Sequence, residues 1–315
     1  MRLTSFKAVP LAAMLLAAGT TLHAANAGSD LFIDAGTLAH WFSEQLSNAS
    51  VFSAAGSLPR PGAVHDLLGV EVGLSGAVTS TPLDVDGFHG LPLTRYDGTT
   101  VDLPSRLLMP VPVVHLKVGI PGGFDVGMRF GSANSNENTN DAKSEFKNQV
   151  VGVEVRRRLL GGGLTGVALP DVALGLSYDR STGKVDRTEV YNGPLNGGGS
   201  LNATTHWKSE WNTSALALRA TASKTLLMFT PYLGVGYAKY MGDTDTSINI
   251  AGTVSDPAPT AIDQTSTATA KPRSGEAQVT GGVEIAFFPL VHLNVGGVVG
   301  QKDWGANVGL VVGFR

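Results

Sequence analysis

Between residues 68 and 314 the chain alternates large apolar residues with small or polar ones, and the pattern returns ten times. Val70, Val72, Leu74 and Val78 alternate with Glu71, Gly73, Ser75 and Ala77. Phe124, Val126, Met128 and Phe130 alternate with Asp125, Gly127, Arg129 and Gly131. Trp304, Ala306, Val308, Leu310, Val312 and Phe314 alternate with Gly305, Asn307, Gly309, Val311 and Gly313. The other seven segments centre on 114–119, 151–156, 172–179, 216–219, 233–238, 278–287 and 291–299. A period of two puts successive side chains on opposite faces of a strand. The decisive feature is the row that is not apolar. A strand of a soluble sandwich would carry Lys, Glu and Thr toward water. Here that row is mostly Gly, Ala and Ser with scattered charges, which suits the crowded inside of a narrow cylinder. The apolar row then faces lipid. The expected fold is all-β: a transmembrane antiparallel up-and-down β-barrel of about ten strands.

The links between strands support a barrel with two unlike rims. Long segments at about 80–110, 132–145, 181–206 and 241–274 alternate with short ones at Pro121-Gly122, Ser223-Lys224-Thr225 and Pro289. Short turns on the periplasmic side and long loops outside are the habit of membrane barrels. The 158–170 link is long for an inner turn, and 301–303 is short for an outer one. An even strand number leaves both ends of the barrel on the periplasmic side. Trp304 and Phe314 lie ten residues apart in one phase, which spans about 23 Å at a tilt near ~45°, close to the ~25 Å apolar band.

Ahead of the strands, residues 1–27 read as a secretory signal. Arg2 and Lys7 lead, an apolar run follows from Leu11 to Ala18, and Ala25-Asn26-Ala27 forms a small-x-small cleavage site. Residues 28–66 form an N-terminal helical segment, and 67–315 the barrel. Within the segment, Leu31, Ala35, Leu38, Phe42 and Leu46 recur on one face of an amphipathic helix over about 30–47. That helix is expected inside the barrel as a plug, against the periplasmic rim, or as a tether. The chain has no Cys, which excludes disulfides and thiol chemistry. Its formal charge of −3 gives no electrostatic case for nucleic acid.

With these features the chain resembles a bacterial outer-membrane β-barrel protein. Its last strand, Trp304 to Phe314, is similar to the barrel-assembly signal of that class, although Arg315 follows the final aromatic. The blocks Val118-Gly119-Ile120-Pro121-Gly122-Gly123-Phe124-Asp125 and Pro170-Asp171-Val172-Ala173-Leu174-Gly175-Leu176-Ser177-Tyr178 resemble an uncharacterised barrel family, a domain of unknown function. The resemblance implies an outer-membrane location in a Gram-negative envelope. It also implies lipid and the barrel-assembly machinery as partners. The chain is expected to be a monomer.

Nine charged residues fall in the inward phase: Glu71, Lys117, Asp125, Arg129, Glu154, Arg156, Asp179, Arg219 and Glu284. They form either a plug of ion pairs or a polar path. Buried charges need partners, and ten strands are few for an open pore. Passage or binding of a small molecule is the leading expectation, with a hydrophobic ligand suggested by analogy to plugged barrels. A structural or surface-interaction role through long outer loops is the alternative. A hydrolase comes third, on Asp84, Asp86 and His89, because the Asp-x-Asp pair has no Asp-x-His partner in a later loop. No catalytic residue, metal or cofactor is assigned. The run Arg156-Arg157-Arg158 is expected to reach lipid headgroups at the periplasmic interface.

Overall fold

The computed structural model describes residues 27–56, 61–65, 67, 69–95, 103–139, 142–161, 169–195, 198–256 and 258–314. Residues 1–26 of the expected signal, and most of the 158–170 link, lie outside them. A helix α1 (Ala27–Gly56) precedes the strands β1 (Val70–Pro82), β2 (Arg106–Ile120), β3 (Phe124–Asn138), β4 (Ala142–Leu160), β5 (Asp171–Pro194) and β6 (Ser200–Ser223). Then come β7 (Phe229–Ser255), β8 (Pro259–Ala270), β9 (Gly275–Phe288), β10 (Val291–Val299) and β11 (Trp304–Phe314), with one short helix, α2 (Val85–His89), between β1 and β2. Every strand pairing is antiparallel, and β1 pairs with both β2 and β11, so the sheet closes on itself.

Among the described residues there are eleven strands, and they make ten passes around the ring. The inner half of β7 pairs with β9, from Phe229↔Ile285 to Lys239↔Gly275. Its outer half pairs with β8, from Thr244↔Ala270 to Ser255↔Pro259. β8 and β9 are thus one descending pass interrupted at 271–274. The apolar rows point outward all the way round. Leu74 is 60 % exposed, Leu176 50 %, Leu218 50 %, Val235 60 % and Leu310 50 %. No water-soluble surface carries such a continuous girdle; it is the face that a bilayer covers. Aromatics mark its margins, with Tyr178, Tyr237 and Trp304 at one edge and Phe229, Phe287 and Phe288 at the other. The chain is an outer-membrane β-barrel.

One expectation fails at the outer rim. The segments 132–145, 181–206 and 241–274 are not long loops. They are mostly the outer halves of β3 to β8, joined by short turns. The reason is a change of chemistry along a single strand. In β6, odd-numbered residues face inward throughout. Beside the membrane the outward row is Leu216 and Leu218. Further out it is Asn202, Thr204, His206, Lys208 and Glu210, while the inward row becomes Leu201, Ala203, Thr205, Trp207, Ser209 and Trp211. The outer halves form a water-facing wall around an interior of apolar side chains and paired hydroxyls such as Ser209 and Thr246.

α1 occupies that interior. The apolar face read from the sequence is buried at all five positions, Leu31, Ala35, Leu38, Phe42 and Leu46, but the helix extends beyond 30–47 at both ends. It packs with Phe88, Tyr191, Leu201, Trp207, Ile248, Ile250 and Val254 in one core. Trp41 meets Phe42 and Phe88 edge-on at 5.0 Å, and Phe42 lies 4.6 Å from Trp207. Each such side chain, fully buried, contributes about 1.5–3 kcal/mol. Ser29, Ile33, His40 and Glu44 remain exposed along the opposite stripe. Lower down, from Ala49 to Gly56, the helix is buried on every side, against Ala215, Ala217 and Ala238 among others.

Simple geometry explains the fit. Ten strands ~4.8 Å apart and tilted by ~40° make a ring about 20 Å across at the backbone. A helix with its side chains needs about 10–12 Å. Small inward residues leave that space. Below the helix the chain runs on through Pro61–His65 to β1, and a Cβ on Gly62 would collide with the Thr221 carbonyl oxygen and lie 2.9 Å from that of Asp171. Gly62→Val should therefore lower the folded fraction, read as the heat-sensitive fast band on an unboiled gel.

Candidate functional site

The lumen is filled by three tiers of charge, each tied to the N-terminal segment. At the periplasmic end, β3 and β4 present Asp125 and Arg156 in inward positions, facing one another in register. The Arg156 Nε donates to Asp125 Oδ1 at 2.9 Å. The same guanidinium donates to the carbonyls of Pro61 at 2.6 Å and Ala63 at 3.2 Å. His65 lies between two carboxylates, with Nδ1 3.3 Å from Asp125 Oδ2 and Nε2 3.3 Å from Glu71 Oε2. His115 reaches the other oxygen of Glu71 at 3.3 Å. Lys117 pairs with Glu154 at 2.9 Å. This tier clamps the descending chain just before β1.

The middle tier holds the end of α1. Arg129 Nε donates to Asp179 Oδ1 at 2.7 Å, and its Nη2 donates to the Ala54 carbonyl at 3.2 Å. Arg219 donates to the Ala55 carbonyl at 2.5 Å and to Gln278 Oε1 at 3.0 Å. The last carbonyls of a helix lack intrahelical partners and carry its partial negative charge. Two arginines from the wall bond to two of them, those of Ala54 and Ala55. Gly152 makes the room, because a Cβ there would overlap the Asp179 carboxylate.

The outer tier continues from Gln278, whose Nε2 donates to the Tyr240 hydroxyl at 3.1 Å; that hydroxyl donates to Glu276 at 2.7 Å. Arg273, in the link between β8 and β9, pairs with Glu276 at 3.1 Å and with Asp303. Its backbone N–H donates to Asn48 Oδ1 on α1 at 2.9 Å. Between helix and wall runs a row of buried hydroxyls, Ser43, Ser47, Ser50 and Ser53. Ser50 meets Thr213 at 3.0 Å, and Ser43 donates to the Ala268 carbonyl at 3.1 Å. A void of about 20 Å³, lined in part by His115, Lys117, Arg129 and Glu154, has room for one water.

The structure places all nine sequence-predicted charges on the inward side. Glu71, Asp125 and Arg156 share the lower tier with the Lys117–Glu154 pair, Arg129 and Asp179 form the middle pair, Arg219 joins the helix end, and Glu284 pairs with His292 at 3.3 Å. The arginine run divides: Arg156 and Arg158 turn inward, Arg158 donating to the Val64 carbonyl, and only Arg157 faces out, over the Phe124 ring. Headgroup anchoring is thus corrected for two of the three, because the threaded segment supplies carbonyls that need donors. Asp84 accepts from the Gly87 N–H at 3.0 Å as the N-cap of α2. Among the described residues no cluster of His, Asp and Glu is arranged to hold a metal ion. His65, Arg273, Glu276 and Asp303 were missed by sequence reasoning. Glu276 shares the phase of Glu284 and was there to be read; His65 has no periodic neighbours to mark it.

Outside, the wall carries a cleft of about 340 Å³ above the apolar belt, lined by Asn134, Lys147, Gln149, Thr182, Lys184 and Glu210 among others. Beside it Glu145 accepts from Lys147, and from Lys184 at 2.6 Å, and these bonds hold its carboxyl down to about 2.

The lower tier gives a direct test. Asp125→Ala leaves Arg156 buried without the carboxylate it faces in register, and leaves His65 with Glu71 alone. Breaking one side of a buried pair costs about 3–5 kcal/mol. The urea midpoint of the detergent-folded protein should fall accordingly, and an unchanged midpoint would show that the clamp contributes nothing.

Compared with known proteins, residues 88–314 match a family described as "Family of unknown function (DUF6588)". No curated protein matches the sequence. Among solved structures, the translocator domain of the autotransporter NalP from Neisseria meningitidis is similar at 10 % identity over 81 % of this chain and 91 % of that one, with a TM-score of 0.38. The outer membrane protease OmpT from Escherichia coli shares 12 % identity over 78 % of this chain and 93 % of its own, also with a TM-score of 0.38. A TodX monoaromatic hydrocarbon channel variant shares 9 % identity over 86 % and 97 %, with a TM-score of 0.28.

Proposed function

We propose a role for a chain that belongs to the family of unknown function DUF6588: it is a closed outer-membrane barrel that works at its outer face, through the wall of β3 to β8 wrapped around α1. One observation carries this reading. The lumen is occupied by a helix whose final carbonyls are held by Arg129 and Arg219. A barrel whose bore is sealed in this way acts through what stands outside it. The wall offers a polar surface and the cleft beside Lys147 and Lys184, which suits a charged or hydroxylated partner at the cell surface. On this reading the chain is not an enzyme, Asp84 serving as a helix cap. It takes no cofactor and acts as a monomer embedded in outer-membrane lipid.

Passage of a small molecule is the second reading, favoured by the row Ser43, Ser47, Ser50 and Ser53 between helix and wall. Displacement of α1 would open a hydroxyl-lined seam, better matched to a small polar solute than to a hydrophobic one. Bilayer recordings separate the two. The intact chain should hold current at baseline, and Arg129→Ala with Arg219→Ala should give brief openings. Each lost charged hydrogen bond weakens the helix seat by about 1.5–3 kcal/mol. Steady conductance from the intact chain would overturn the closed reading in favour of passage.

A further inference from the structure

We propose that this chain presents its own processed N-terminus on the outer side of the membrane, with α1 and then Pro61–His65 placed in turn along the length of the barrel. The inference rests on the membrane orientation used for the proposed function. Val70 pairs with Phe314, so β1 begins and β11 ends at one rim. The short turns at 121–123, 224–228 and 289–290 lie at that same rim, the periplasmic one. The β7–β8 tip at 256–258 is at the other.

α1 starts beside that tip. A Cβ on Gly28 would lie 3.5 Å from Ile262 Cγ2, in ordinary van der Waals contact, and Arg95 bridges Asp30 at 3.0 Å and Asp256 at 3.3 Å. Successive contacts then descend. Ser266 donates to the Phe32 carbonyl at 2.7 Å, Asn48 accepts from Arg273, Ser50 meets Thr213, and Ala55 accepts from Arg219. Pro61 and Ala63 accept from Arg156, and His65 reaches Asp125 before β1 begins. Thirty helical residues cover about 45 Å. The segment is therefore not a plug inserted from below as a hairpin. It is a single thread with its free end outside. An exported chain reaches this state if its N-terminal segment enters the ring before or as β1 and β11 join. Ser29, Phe32 and Ile33 are exposed there, so the first turn of the helix is open to reagents from the medium.

The absence of Cys makes a clean test. Three single variants, Ser29→Cys, Thr260→Cys and Leu227→Cys, are treated on intact cells with a membrane-impermeant maleimide, then again after the outer membrane is permeabilised. Each position is exposed, and Leu227 is in the periplasmic turn. The expected result is full labelling of Ser29→Cys and Thr260→Cys on intact cells, and of Leu227→Cys only after permeabilisation. If Thr260→Cys labels from outside while Ser29→Cys waits for permeabilisation, the threaded N-terminus is wrong and the orientation stands. If Leu227→Cys labels from outside and Thr260→Cys does not, the orientation is reversed and both readings fall.

Discussion

A chain whose processed form begins at Ser57, without α1, should pass ions steadily through a planar bilayer in which the full-length protein holds no current. The ring is about 20 Å across and the helix takes up about half of that. Around the lower part of the helix the wall presents Ala215, Ala217 and Ala238 beside Tyr240, and a hydrogen-bonded ring cannot collapse inward to fill a gap of helix width. The barrel itself should survive, because its hydrogen bonds run between strands and not through the helix. Selectivity should follow from the middle tier. Without Ala54 and Ala55, Arg129 keeps Asp179 but Arg219 loses a charge-balancing dipole. The reversal potential in a salt gradient should shift toward chloride. A deletion that folds and stays silent would mean that the seal is made by the wall.

Trp41→Ala should have the second large effect, confined to the outer half. Trp41 packs on Phe42 and Phe88 and donates its indole N–H to the Asp84 carbonyl at 3.2 Å. Removing a buried aromatic of this size costs about 3–5 kcal/mol. At least a hundredfold more of the open form should then be present, and cleavage of whole cells by added protease near 83–95 and 256–258 should rise with it. The heat-stability of the membrane ring should hardly change. A parallel fall in both would show that the outer core and the barrel unfold as one unit.

Much of this was legible in the sequence wherever one chemical rule governed a strand. The ten lipid-facing rows, the buried face of α1 and the inward phase of the nine charges all follow from period and phase. The outer halves were not legible, because the rule reverses. Lys208 and Glu210 face water on the same side of β6 where Leu216 and Leu218 face lipid. A segment rich in Thr, Ser and Asn with few apolar residues then reads as loop. In β8 the inward row is Ile262, Gln264, Ser266, Ala268 and Ala270, too weak a stripe to announce a strand until α1 is seen against it. The path of the chain through the bore is a fact of tertiary structure. His65 and the carbonyls of Pro61 and Ala63 gain their roles only once Asp125 and Arg156 surround them.

The reversal within β6 also gives the molecule a waterline. Sliding the protein outward by two residues would lift Leu216 from hydrocarbon, and sinking it by two would draw in Ser214. Either shift is only about 5 Å along the normal. The same boundary recurs in β5 between Tyr178 and Arg180 and in β7 between Tyr237 and Lys239. The draught of the protein in its bilayer is thus written three times over, and a membrane of altered thickness should deform around it before the barrel changes depth.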